Sequence, residues 1–302
     1  MSNTLVILGP TAIGKTSLAI ELAKNLKAEI ISADSMQVYR GMDIGTGKPT
    51  LEERQGIPHH LIDIRNPDEA WTVSDFVEQT TQLTNEIENR AGTPIIVGGT
   101  GLYLWTLLEG FSFPIVAADK ELRQKFEKLP AATLYAQLST IDPEAAAKLH
   151  PNDKKRIVRA LEVYELTGSP ISQLQKKREE PRSLFAGSEP KLLGINAPRE
   201  KLYQRIEQRV DQMIEHGLIN EVKGLLAKGY SKNLPAFQAL GYKEAISQLD
   251  GTWTKEEMVK ELKKRTRNFA RRQMTWFKRF KDVKWLELPV DTQAILDYIN
   301  GI

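Results

Sequence analysis

The sequence predicts an α/β protein: a P-loop parallel sheet core with helices on both faces and a helical insertion domain. Three observations predict it. Short apolar runs alternate with helical patterns over the first third of the chain, which implies crossover connections between parallel strands. The first run leads into Gly9-Pro10-Thr11-Ala12-Ile13-Gly14-Lys15-Thr16, a P-loop spacing with a strand before it and a helix after it, as that motif requires. Between Phe113 and Pro190 the β signal disappears and helical patterns replace it.

Taken in order, strands are expected at Leu5 to Leu8, Glu29 to Ser32, Leu61 to Ile64, Pro94 to Val97 and Leu192 to Ile195, each a short apolar run. Helical patterns at Ser17 to Leu26 and Val73 to Arg90 separate several of them. Within the insertion, Asp119, Asp142 and Asp153 each precede a helical stretch as N-caps, and Gly168-Ser169-Pro170 breaks the run. The polar, proline-bearing stretch from Arg178 to Pro190 reads as the loop returning to the sheet. Helices resume from Glu200 to Glu215, with Gly217 as a stop, and continue in shorter pieces to Gly251. A long helix is expected from about Lys255 to Lys281, where Leu262, Phe269, Trp276 and Phe280 recur as an apolar stripe. The division that follows is a core of residues 1–112 and 190–302 and an insertion of residues 113–189.

Composition narrows the function classes. With 302 residues and 41% hydrophobic content the chain can bury a large core, and no apolar run has the length a bilayer demands. The first strand begins directly, without a signal-like segment, so the protein is expected in the cytoplasm and off the membrane. A monomer is expected. The absence of cysteine removes disulfides, thiolate nucleophiles and cysteine-bound zinc together. His59 and His60, neighbours in an extended stretch, face opposite ways and read as structural. A net charge of +3 alone implies no nucleic acid, but its distribution is uneven. Lys154, Lys155, Arg156 and Arg159 cluster after Pro151, and the segment from Lys260 to Lys281 is crowded with lysine and arginine around the single acid Glu261. A solvated face of a core helix and a nucleic-acid contact explain that segment equally well.

The P-loop itself binds phosphates. Its glycines let the backbone wrap a phosphate chain, Lys15 adds a mobile positive charge, and the Thr16 hydroxyl is placed to hold Mg²⁺. Enzymes that split nucleoside triphosphates present a second acid at a strand end, yet the strand at Pro94 to Val97 ends in Gly98-Gly99-Thr100-Gly101 with no carboxylate. The other acid at a carboxyl strand end is Asp34, which suits a general base, a water-mediated Mg²⁺ ligand or a structural N-cap.

Further motifs follow in order along the whole chain. They are Asp34-Ser35-x-Gln37-x-Tyr39, Gly45-Thr46-x-Lys48-Pro49, Pro58-His59-His60-Leu61-x-Asp63 and Gly98-Gly99-Thr100-x-Leu102-Tyr103. Arg159-Ala160-Leu161-Glu162, Gly241-Tyr242-Lys243 and Arg272-Gln273-x-Thr275-Trp276 complete the series. Together with the P-loop they resemble the tRNA dimethylallyltransferase (isopentenyltransferase) family. Eukaryotic relatives often carry a cysteine-containing zinc-finger tail that this chain lacks, so it is most similar to the bacterial branch.

The resemblance implies that the loop holds the leaving diphosphate of dimethylallyl diphosphate, whose five-carbon group passes to the exocyclic amine of the adenosine 3′-adjacent to the anticodon. The family acts on tRNAs reading codons that begin with U. It implies a diphosphate cradle from Gly9 to Thr16 with Lys15 and Mg²⁺ on Thr16, Asp34 as the acceptor of the amine proton, Thr100 near the bridging oxygen, and Arg209 on the diphosphate, Arg205 being an alternative one turn away. A surface salt bridge to Glu207 or Asp211 is the structural alternative for either arginine. Contact with the tRNA anticodon stem-loop is implied for Asp34, Ser35, Met36 and Gln37, for Thr100 and Arg123, and for Lys155, Arg156 and Arg159. The same is implied for Gly241, Tyr242 and Lys243 and, on the late basic helix, for Arg272, Gln273, Thr275 and Arg279, with Trp276 packing in the core. Three rivals remain: an adenylate isopentenyltransferase, whose pattern lacks the insertion and the basic helix; a small-molecule kinase, which the missing second acid opposes; and a non-catalytic RNA-binding protein, which the intact Lys15-Thr16 pair opposes.

Overall fold

The computed structural model describes residues 4–110, 116, 119–175, 185 and 189–300, so the expected return loop at 178–190 falls almost wholly outside the described residues. The chain divides into two compact units, one of Met1–Trp105 with Arg182–Ile302 and the other of Thr106–Pro181. The first division lies seven residues before the one expected from the loss of β signal at 113, within helix α4 (Gly101–Glu109), and the second lies eight residues before the return of β signal at 190.

The first unit is built on six parallel strands, β1 (Leu5–Leu8), β2 (Ala28–Ser32), β3 (His59–His60), β4 (Thr93–Gly98), β5 (Lys191–Asn196) and β6 (Val283–Glu287), in the order β3-β2-β4-β1-β5-β6. Central β1 is fully buried and pairs with β4, Leu5 opposite Ile95, and with β5, Leu5 opposite Lys191. Helix α1 (Lys15–Leu26) carries the chain from β1 outward to β2, while α3 (Val73–Asn89) carries it inward from β3 to β4. Right-handed crossovers running in opposite directions place those two helices on opposite faces of the sheet. Leu5, Ile7, Ile95 and Val97 share one cluster with residues of α1, α10 (Arg199–Glu215) and α14 (Thr292–Asn300).

A second apolar cluster in the same unit joins Val38, Tyr39 and Met42 to α10, α11 (Leu218–Ala227), α12 (Tyr242–Leu249) and α13 (Lys255–Phe277). The short α2 (Leu51–Arg54) begins in a capping box between Thr50 and Glu53. Gly217 does turn the chain, but as the left-handed N-cap of α11, with His216 closing α10. In the second unit α5 (Lys120–Glu127), α6 (Ala131–Ile141), α7 (Pro143–Ala147), α8 (Lys154–Thr167) and α9 (Ile171–Leu174) surround Leu134, Leu138, Ile157 and Leu161. Asp119, Asp142 and Asp153 cap α5, α7 and α8 by accepting the amides of Leu122, Ala145 and Arg156, as expected.

Three expectations need correction. Leu61 to Ile64 is no strand: Leu61 and Asp63 take left-handed φ values of 60° and 58°, and the run is apolar because Leu61 and Ile62 are buried in a turn after two-residue β3. Strand β6 was hidden at the sheet edge, where its half-exposed residues give no buried run to read. Helix α13 ends at Phe277, not Lys281, and its buried face is Met258, Leu262, Thr266, Ala270, Gln273 and Phe277, so Phe269 and Trp276 of the expected stripe sit to one side, half-buried.

Candidate active site

Three loops leave the carboxyl ends of neighbouring strands at one edge of the sheet: the P-loop after β1, Asp34 after β2, and Gly99-Thr100 after β4. That is where open parallel sheets place ligands. They open onto a cleft lined by Thr11, Lys15, Thr16, Asp34, Arg209 and Gln273. Its walls include apolar Ile30, Ile62, Val97 and Phe269. Polar charge and apolar wall thus share one cavity.

The loop Gly9–Thr16 wraps tightly because Gly9, Ala12 and Gly14 all take positive φ, and Gly14 leads directly into the N-terminus of α1. Lys15 Nζ donates to Pro10 O at 2.8 Å. Burial, reinforced by the neighbouring Arg209 and opposed by Asp34, pulls the Lys15 ammonium down to about 7. Burial also lowers Arg209, again against the pull of Asp34. Arg209 and a Lys15 poised to take up a proton face one carboxylate, a surplus of positive charge that a multiply charged anion would draw out in full.

Arg209 and Arg205 are separated by the geometry. Arg209 enters the cleft, donating to Thr46 O at 3.3 Å, and the backbone of Gly47 lies so close that a Cβ there would sit 1.8 Å from its guanidinium nitrogen. Gly47 also holds φ +59°, so both space and conformation demand glycine. Arg205 instead lies outside, exposed, donating to Ala12 O at 2.9 Å. The salt-bridge alternative fails for both, since Glu207 pairs with Arg267 and Asp211 with Lys263.

Asp34 Oδ1 accepts the amides of Met36 at 2.8 Å and Gln37 at 3.4 Å, which fixes the carboxylate as it lines the cleft. Ser35 donates its amide to the Thr100 hydroxyl at 3.0 Å, tying the ends of β2 and β4 together. Gln37 is engaged on both sides, by the Ser32 hydroxyl at 2.9 Å and Gly47 O at 3.4 Å, while Met36 is half-buried beside it.

The turn carrying Gly45 and Lys48 is held from behind. Glu221 on α11 accepts three successive amides, those of Asp43, Ile44 and Gly45, and the Tyr242 hydroxyl. Lys48, buried, donates to Tyr39 O, Asp43 and Asp63. His60 pairs with Glu29 at 2.7 Å, a structural role, whereas His59 faces the cleft with Nε2 buried and unpartnered, and burial lowers its pKa. Among the described residues no group of three or more His, Cys, Asp or Glu can cage a metal.

Three residues expected on an RNA-facing surface, Gln273, Tyr242 and Gly241, are buried. Gln273 is 4% exposed, with its amide spent on Thr11 N and Gly99 O, both at 2.8 Å. Tyr242 is 0% exposed, its ring in the second apolar cluster, and neighbouring Gly241 is buried with its amide on Glu244. Hydrogen-bonding capacity in a sequence does not say which way a side chain faces. Lys243, Arg272, Thr275 and Arg279 are exposed, Arg279 lying 4.7 Å over the half-buried Trp276 ring, which itself meets Trp105 edge-on at 6.3 Å. Phe269, which the stripe assigned to the core, is a cleft residue instead.

Within the second unit Lys155 and Arg156 are exposed, the latter 3.0 Å from Asp153. Arg123 and Arg159 converge on Glu162, itself fully buried, at 2.8 and 2.6 Å. Burial would raise the Glu162 carboxyl, but the two guanidiniums and the Asp119 amide outweigh it and hold it below its usual range. Arg159 donates also to Val116 O at 2.9 Å, and neither guanidinium spends all five of its donors on these partners.

The family described as IPP transferase matches residues 37–280. The chain is 48% identical over 300 residues to the tRNA dimethylallyltransferase of Pelotomaculum thermopropionicum, spanning 98% of this chain and 94% of that one. It is 47% identical over 306 residues to that of Alkaliphilus metalliredigens, spanning 98% and 97%. A solved tRNA isopentenylpyrophosphate transferase from Bacillus halodurans is 43% identical with a TM-score of 0.72, spanning 99% of this chain and 96% of that one. A eukaryotic dimethylallyltransferase acting on tRNA is 30% identical with a TM-score of 0.77, spanning 100% and 80%.

Proposed function

The chain belongs to the IPP transferase family, and on that premise we infer that it moves a dimethylallyl group from dimethylallyl diphosphate to a tRNA adenosine, releasing diphosphate. The observation that carries this reading is the single cleft in which Lys15, Arg209 and the P-loop lie beside Asp34 and an apolar wall of Ile30, Ile62, Val97 and Phe269. A prenyl diphosphate has the same two ends.

In the reaction the adenine N6 attacks the allylic carbon, the carbon–oxygen bond breaks, and its electron pair leaves on the diphosphate. Positive charge on Lys15 and Arg209, with the loop amides, stabilises the negative charge that grows there. Asp34, anchored through Oδ1, takes the amine proton on its other oxygen. Thr100, held by the Ser35 amide and next to the cleft residue Gly99, is assigned to the bridging oxygen of the donor. The oxygen donors present, the Thr16 hydroxyl and Asp34 in the same cleft, suit Mg²⁺, which takes few protein ligands and keeps water and phosphate oxygens. Bound there on Thr16, it would supply charge neutralisation to the leaving diphosphate.

The acceptor is the adenosine 3′-adjacent to the anticodon in tRNAs reading codons that start with U, extruded from its stack to reach the cleft. Exposed Lys155, Arg156, Lys243, Arg272 and Arg279 hold the phosphates of the anticodon stem-loop. No helix among the described residues is long and apolar enough to cross a membrane. A tRNA substrate fits work in the cytoplasm, and the proposed working form is a monomer. Incubation with unmodified tRNA, Mg²⁺ and dimethylallyl diphosphate, followed by digestion to nucleosides, tests the reading by mass. A heavier adenosine is expected; unchanged adenosine rejects it.

A further inference from the structure

Gln273 sits on the buried face of α13, one turn from Phe269, and its amide bridges two loops of the cleft. Oε1 accepts the Thr11 amide, and Nε2 donates to Gly99 O, each at 2.8 Å. The two bonds have opposite polarity. Only a side chain with an acceptor and a donor on one planar group satisfies both, so glutamate in its ionised form loses one bond and methionine loses both. The space is cut for it as well: a Cβ on Gly99 would lie 2.3 Å from Gln273 Nε2. Thr11 belongs to the loop that grips the diphosphate, and Gly99 precedes Thr100.

We propose that Gln273 is a positioning residue for transfer, fixing the P-loop and the Gly99-Thr100 turn at a set separation and anchoring both to α13, whose outer face carries Arg272 and Thr275. The proposal rests on the transferase reading. It assigns Gln273 to the donor side of the reaction, behind the surface that meets RNA.

The test compares the full-length chain with Gln273→Met and Gln273→Glu. Loss of two buried hydrogen bonds should lower kcat/KM for dimethylallyl diphosphate on the order of 10- to 100-fold in Gln273→Met. Affinity for tRNA, measured without donor, should stay within about twofold, since no exposed charge is removed. Gln273→Glu adds a readout that loss of packing would not give. A protonated carboxyl again accepts with one oxygen and donates with the other, so its activity relative to wild type should climb as pH falls, while the Gln273→Met ratio stays flat. Wild-type donor kinetics in Gln273→Met, weakened tRNA binding with unchanged donor parameters, or a flat Gln273→Glu ratio would overturn the proposal alone. Should Gln273→Met not fold, the Gln273→Glu profile decides. A wild-type chain that leaves adenosine unmodified overturns the transferase reading and this proposal together.

Discussion

Lys15 should gain a proton when the donor binds. Its ammonium is pulled from 10.5 to about 7 by burial and by Arg209, a difference of about 5 kcal/mol between its charged and neutral forms. A diphosphate beside it reverses the sign of the local field, so the bound-state pKa lies above the free one. At pH 8 a group titrating at about 7 is mostly neutral, so binding should take up a large part of one proton. The donor is a poor source of confusion, because its own last phosphate proton, with a pKa near ~6, has already left. With binding raising the pKa, the charge contributes its full share to affinity below about pH 7 and loses it as pH climbs toward the bound value, so Kd should rise about tenfold per pH unit over that range. Isothermal titration in two buffers of different ionisation enthalpy, at fixed Mg²⁺, measures the uptake directly. Lys15→Arg, charged at every accessible pH, should abolish it. A heat independent of buffer at pH 8, or the same uptake in Lys15→Arg, would refute the reasoning.

Asp34→Asn should keep tRNA and donor affinity within a few fold yet slow turnover by about 10²- to 10⁴-fold, the range of a lost general base, and single-turnover kinetics at saturating donor measures it. Replacing Glu221 by Gln should remove a charged acceptor from three amides and loosen the turn around Gly47, raising donor KM by about tenfold in steady-state assays while tRNA affinity holds. Glu162→Gln should lower stability by about 2 to 4 kcal/mol at pH 7 in urea titrations, because two guanidiniums lose their buried partner. The folded pKa of Glu162 is below its unfolded value, so that contribution is complete above about 4.5 and vanishes as pH falls through the folded pKa, where variant and wild type should converge. Arg272→Ala with Arg279→Ala should reduce the slope of log K against log salt for tRNA by about 1 to 2.

The parts legible in the sequence were those whose physics is local. The P-loop announces itself because strand, glycine turn, lysine and hydroxyl lie within a dozen residues, and the three aspartate caps of the insertion need only their own helix. What stayed hidden depends on facing. Gln273 and Tyr242 carry polar atoms suited to RNA, but contacts with Thr11 and Glu221, far away in sequence, turn them inward. Phe269 fits a heptad-like stripe, yet the true buried face is rotated and leaves its ring to line the cleft. Leu61 and Ile62 show that an apolar run reports burial before it reports strand geometry. His59 and His60 were rightly set on opposite sides, but alternation cannot say which side holds the cavity.

The bond from Thr11 to Gln273 spans 262 positions, and Arg209 meets the turn at Thr46 across 163. A ribosome therefore finishes the P-loop long before it delivers the groups that complete it. Until α13 has emerged, the polypeptide has its phosphate cradle without Phe269 and Gln273, the cleft residues that helix supplies. A chain cut short just before residue 273 keeps the whole P-loop yet lacks the side chain that braces its Thr11 amide, so a complete motif is no sign of a complete site.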